Sequence, residues 1–174
     1  MAGSLILIDS ETVSSTVASV TLGGSDWDSS YDVYLIKFNN VSPSTAEQMK
    51  ARFLESGTEN STANYDYAAK HFRTSGAYEN LSATNATSMT VASAQIHATD
   101  GNANGCLYIF NANNSSEYTF ITTDTTIWAG SGQVAGDAGG NVFTVTSAVN
   151  GIKFFINSSH NIDSGTFSLY GLKK

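Results

Sequence analysis

The sequence predicts an all-β fold: an antiparallel β-sandwich of jelly-roll type with little helix, in one domain over residues 1–174. Composition, strand spacing and turn chemistry predict it. Ser, Thr and Asn make up a third of the chain, and charged residues only 13%. Ser and Asn compete with helical backbone hydrogen bonds and Thr is β-branched, so this mixture favours strands and turns. Short β-branched and aromatic runs recur between Gly, Asn and Asp clusters, a spacing that reads as a sandwich or jelly roll. Hydrophobic residues at 41% suffice for one core, and no composition break marks a domain boundary.

Leu5–Ile8 is a β-branched run and reads as the first strand. Val13, Val17, Val20 and Leu22 suggest a second, ended by Gly23-Gly24. A loop follows at 26–30, and Asp32–Phe38 is the clearest strand of the first half, closed by Asn39-Asn40. Ser42-Pro43-Ser44 is a turn. Ala46–Arg52 fits a helix, because Ser44 and Glu47 resemble a capping box. It fits a strand better, because Met49, Ala51 and Phe53 alternate with Lys50 and Arg52 and Glu55-Ser56-Gly57-Thr58 supplies a hairpin end. Tyr65–Phe72 admits either state. Residues 74–89 are polar and read as a long loop. Strands follow at 90–97, 106–110, 117–122, 126–129, 141–146, 152–156 and 166–170. Between them, Asp100-Gly101, Asp137-Ala138-Gly139-Gly140 and Asn150-Gly151 read as turns. The expected core is Leu5, Leu7, Val33, Leu35, Phe53, Ile109, Phe120, Phe143, Phe154, Phe167 and Leu169.

Eight basic residues against 15 acidic ones, net charge −7, exclude the basic stripe that nucleic acid needs and disfavour an anionic membrane surface. No apolar run approaches the roughly 20 residues of a spanning helix. Leu5–Ile8 is short, lacks a preceding basic residue and ends at Asp9, so a cytoplasmic origin with the N-terminus retained is expected. Cys106, the lone cysteine, reads as a small buried hydrophobe and not a catalytic thiol.

His71, His97 and His160 stand far apart, in no metal-ligand or catalytic motif. Asp100-Gly101-Asn102-Ala103-Asn104-Gly105 matches the first half of a calcium loop, but Asn111 stands where the bidentate Glu belongs, so a hairpin loop is expected. Asp26, Asp28 and Asp32 read as a solvated acidic loop. Trp27 inside it and Trp128 farther on are each a sugar platform, a partner anchor or a cap on their own fold. No catalytic, cofactor-binding or metal-binding residue is assigned. Interfaces favour aromatics and disfavour Lys and Glu, so the candidate interface or ligand residues are Trp27, Tyr31, Tyr65, Tyr67, Tyr78 and Trp128.

The C-terminal stretch Ile162-Asp163-Ser164-Gly165-Thr166-Phe167-Ser168-Leu169-Tyr170-Gly171-Leu172-Lys173 resembles the last strand of β-rich virion proteins of tailed bacteriophages, which end in S-G-x-x-x-L-Y-G-L/I. Tyr34–Val41 and Arg52–Gly57 look like two earlier strands of that group. The resemblance covers well under half of the chain and brings no catalytic residues. It implies a jelly-roll-like, non-enzymatic structural protein, made in the host cytoplasm and carried on the virion as a capsid decoration, fibre or knob. Expected partners are the chain itself, as a homotrimer, and other virion proteins. The alternative is a carbohydrate-binding receptor module with a host surface glycan as partner.

Overall fold

The computed structural model describes residues 4–76 and 78–172. Thirteen strands run in chain order: β1 (Leu5–Val13), β2 (Ser19–Gly23), β3 (Val33–Pro43), β4 (Glu47–Glu55), β5 (Thr58–Glu59), β6 (Tyr65–Arg73), β7 (Tyr78–Ala86), β8 (Met89–Ile96), β9 (Ala103–Phe110), β10 (Thr119–Ala129), β11 (Gln133–Phe143), β12 (Gly151–Ile156) and β13 (Ile162–Leu172). Two single 3-10 turns, Gly24–Asp26 and Asn157–Ser159, are the helical elements among the described residues.

The all-β reading holds, but the two-sheet jelly-roll sandwich does not form. All thirteen strands belong to one hydrogen-bonded sheet that curls into a nearly closed barrel, with the main path β1-β13-β3-β9-β10-β8-β4-β12-β2. The sheet forks at β10. One side of β10 pairs with β9, and the other pairs along its whole length with β11, which leads to β6 and β7. The turn into β8 rests on one pair, Ala129 with Ile96. At the far seam Val17 bridges Ile162, and the Gly23 amide donates to the Asp9 carboxylate at 2.9 Å. An alternating pattern specifies one wet face and one dry face, which a sandwich and a barrel share.

Both segments that admitted a helix are strands, β4 and β6. Most of the expected loop 74–89 is strand too: β7 lies at the end of its arm, paired only with β6. Asp137-Ala138-Gly139-Gly140 is not a turn but the middle of β11. A Cβ on Gly139 would lie 2.4 Å from the Ala68 carbonyl oxygen, so glycine there permits close strand approach. Neither Gly101 nor Gly151 has positive φ, so Asp100-Gly101 and Asn150-Gly151 are not primed hairpin turns. The expected hairpin after Glu55 does form, with Ser56 at φ 52 and Gly57 at φ 82.

The inner face carries the core. Phe154 packs on Phe167 with ring centroids 5.1 Å apart, and Phe143 touches both Tyr65 at 5.0 Å and Phe53 at 5.6 Å. Phe53, Ile109, Phe143, Phe154, Phe167 and Leu169 are buried as expected. Leu5, Leu7 and Phe120 are not: they face outward and are about half exposed. Val33 is half-buried, and Leu35 is buried outside the main core cluster.

Candidate functional site

The misplaced core residues share one location. Residues paired across an antiparallel sheet point to the same face. The register therefore draws two rows across the outside of the barrel. The first runs Leu5, Leu172, Val33, Phe110, Phe120, Val142. The second begins Leu7, Tyr170, Leu35, Tyr108 and continues in small residues, Thr122, Gly140, Ala68, Ser82. Leu5, Leu7, Leu172, Tyr108 and Phe120 are each 44–56% exposed. They present roughly 500 Å² of adjoining apolar surface, near the upper end of what a lone monomer shows. Leu35, paired with Tyr170 on one side and Tyr108 on the other, is buried.

The next row, Ser168, Lys37, Cys106, Asp124, Ala138 and Lys70, is mostly polar and borders the band. Cys106 is half-buried there, and its thiol pKa is pushed up by burial and then by the Asp124 charge, which keeps it protonated and unreactive at neutral pH. At the small-residue end the band hollows into a trough of about 710 Å³ between Phe120, Val142, Asp66 and Thr84.

The sequence-assigned aromatics are scattered. Trp27 is buried, stacked on Tyr34 at 4.5 Å and 20°. Its loop is stitched down: the Asp28 carbonyl accepts from the Tyr34 hydroxyl and from Asn113 Nδ2 at 2.6 Å. The Asp28 carboxylate accepts the Ser30 amide at 2.8 Å, which lowers its pKa. Tyr65 is fully buried, with its hydroxyl accepting from the Phe53 amide and donating to the Asn60 carbonyl. Both tyrosyl pKa values, of Tyr34 and Tyr65, are raised by burial. Trp27 and Tyr65 are therefore packed within their own fold. Tyr31 and Tyr67 are half-buried, while Tyr78 and Trp128 are exposed at separate places, on β7 and the end of β10. In the half-built calcium loop, Asn104 Oδ1 already accepts the Asn40 amide at 2.9 Å. Gly101 serves close packing, since a Cβ there would lie 2.4 Å from His97 Cβ.

A buried polar cluster escapes sequence reading altogether. His71 on β6, Ser93 on β8 and Asp137 on β11 meet inside the barrel: His71 Nδ1 lies 2.7 Å from Asp137 Oδ1 and 3.0 Å from Ser93 Oγ, and Ser93 Oγ donates to Asp137 Oδ1 at 2.5 Å. The residue types are those of a hydrolytic triad, but the connectivity is not. A triad places nucleophile and carboxylate on opposite ring nitrogens. Here both sit at Nδ1, and Arg73 Nε donates to Nε2 at 2.8 Å. Arginine only donates, so Nε2 is the acceptor and Nδ1 carries the proton toward Asp137. Ser93 has no base.

The cluster instead completes the fork in the sheet. Among the described residues, β8 has no ladder partner on the edge away from β4 except at Ile96. Asp137 Oδ2 accepts the Ser93 amide at 2.6 Å, and Asn141 accepts the Thr90 amide at 3.2 Å and donates to its carbonyl at 3.4 Å. Two side chains of β11 thus stand in for a missing strand, satisfying buried backbone groups that would otherwise cost stability. The one available sequence signal was parity: Asp137 and Asn141 alternate in phase with Phe143, and His71 with Tyr65. Comparison with protein-family models, curated proteins and solved structures gives no match to this chain.

Proposed function

We propose that this chain is a non-catalytic structural subunit of a tailed-phage virion that self-assembles through the outer apolar band. The observation that supports this most is the band itself, a core-like strip flanked by a polar row, which is the anatomy of an interface. Its two ends differ: leucines project at β1 and β13, and a small-residue trough lies at β6 and β7. Leucines of one copy seated in the trough of the next make a head-to-tail contact, the kind that forms a ring where the rotation between copies closes. The closure proposed is the homotrimer expected of such a structural subunit. The trough and polar margin bring the face toward the about 800 Å² that each partner commonly contributes.

Mass spectrometry of purified particles of the phage whose genome encodes this chain tests the setting. The expected result is its peptides in the particle at a copy number divisible by three. Abundant chain in infected cells with none in particles overturns the virion reading.

A further inference from the structure

On the other arm, the outside of β2, β12 and β4 carries a second pocket that shares no residue with the apolar band. It has about 400 Å³, within the range of small-molecule sites. Arg52, Glu59, Lys153, Phe155, Ser158 and Ser159 line it. Lys153 Nζ lies 2.9 Å from Glu59 Oε2, and an Arg52 terminal nitrogen lies 3.7 Å from Glu59 Oε1. Two cations therefore share one carboxylate. Glu59 Oε2 is itself buried, and despite the nearby ammonium no well-directed hydrogen bond reaches it. Arg52 lies over Phe155 with its guanidinium 4.8 Å from the ring centroid, which holds that donor in place. On the rim, Ser158 and Ser159 both have positive φ, at 58 and 61. Consecutive non-glycine residues in that region are strained, and such strain concentrates at ligand clamps.

We propose that this pocket binds a saccharide unit through vicinal hydroxyls. One hydroxyl donates to the accessible side of the Glu59 carboxylate while its neighbour accepts from Lys153 or Arg52. A hydroxyl pair supplies both polarities at adjacent atoms, whereas sulfate only accepts. The serine hydroxyls and the edge of Phe155 complete a mixed polar and apolar wall. The proposal is independent of self-assembly, since it uses different strands.

The test is NMR titration of the ¹⁵N-labelled chain with methyl glycosides of glucose, galactose, mannose and N-acetylglucosamine, and separately with sulfate. Saturable shifts at Lys153, Ser158 and Ser159 with at least one glycoside are expected, falling at least tenfold in affinity in E59Q. The double variant E59Q/K153Q removes the closer ion pair as a unit, leaves Arg52 held over Phe155, and is expected to lose binding with an unchanged far-UV spectrum. Equal response to sulfate in wild type and E59Q marks a plain cationic patch and overturns the proposal. So does the absence of glycoside shifts at tens of millimolar.

Discussion

Asp137 has the clearest residue-scale role, because its two carboxylate oxygens serve different strands. Oδ1 receives His71 and Ser93 side chains, and Oδ2 receives the Ser93 amide. Asp137→Ala strips all of these acceptors from a buried site and is expected to lower stability by about 3–5 kcal/mol in urea unfolding. Asp137→Asn keeps an acceptor for the Ser93 amide and is expected to lose less. Equal losses would show that the negative charge and hydrogen bonds contribute nothing beyond shape. Trp27→Ala, which empties the stack on Tyr34, is expected to cost about 3–5 kcal/mol and to leave any self-association intact. Titration offers a third check. Tyr34 and Tyr65 have pKa values raised above the ordinary 10.0 by burial. Their protonated forms stabilise the fold fully below pH 10, and stability falls as pH rises beyond it, because the unfolded chain loses those protons first. Lys50, whose pKa is lowered by burial, adds stability only as pH climbs to its ordinary 10.5, so the decline above that is tyrosine's. The exposed tyrosines ionise first, and the late share of tyrosinate absorbance, from Tyr34 and Tyr65, should rise together with loss of the β spectrum. Ionisation of all eight tyrosines with the spectrum intact would refute the burial argument.

Among the elements, strands with one dry face were legible, and those that break that pattern were not. Asp32–Phe38 and Ile152–Ile156 are β-branched and aromatic runs bounded by turn residues, and β3 and β12 follow. β7 does not read as a strand, because it lies at the arm's end with both faces largely wet, so its sequence needs no alternation. β11 was hidden by its glycines, which resemble turn chemistry yet serve close packing between β10 and β6. Gly139→Ala forces a Cβ against the Ala68 carbonyl and Ala69, and an overpacking loss of about 1–3 kcal/mol is expected from its melting temperature. An unchanged melting temperature would show that β6 and β11 can separate freely. The site was legible only in kind. Aromatics were expected at an interface, but sequence spacing cannot say that Trp27 turns inward or that Tyr108 and Phe120 turn outward, since period two fixes alternation and leaves the choice of face to the fold.

For the whole molecule, the same ambiguity explains why the sandwich reading failed. The sandwich reading rested on strand spacing and turn chemistry, which a curled single sheet shares, and it counted the outward-facing Leu5, Leu7 and Phe120 into the core. The single sheet instead curls on its own core and leaves those residues outside. Self-association through the outer apolar band is the central claim, and sedimentation velocity tests it most directly. Wild-type chain is expected to sediment as a trimer at micromolar concentration, and L7D/F120D, which places carboxylates at two exposed positions, as a monomer with an unchanged far-UV spectrum. A wild type that remains monomeric into the high micromolar range, or a variant that associates as well as wild type, would contradict it.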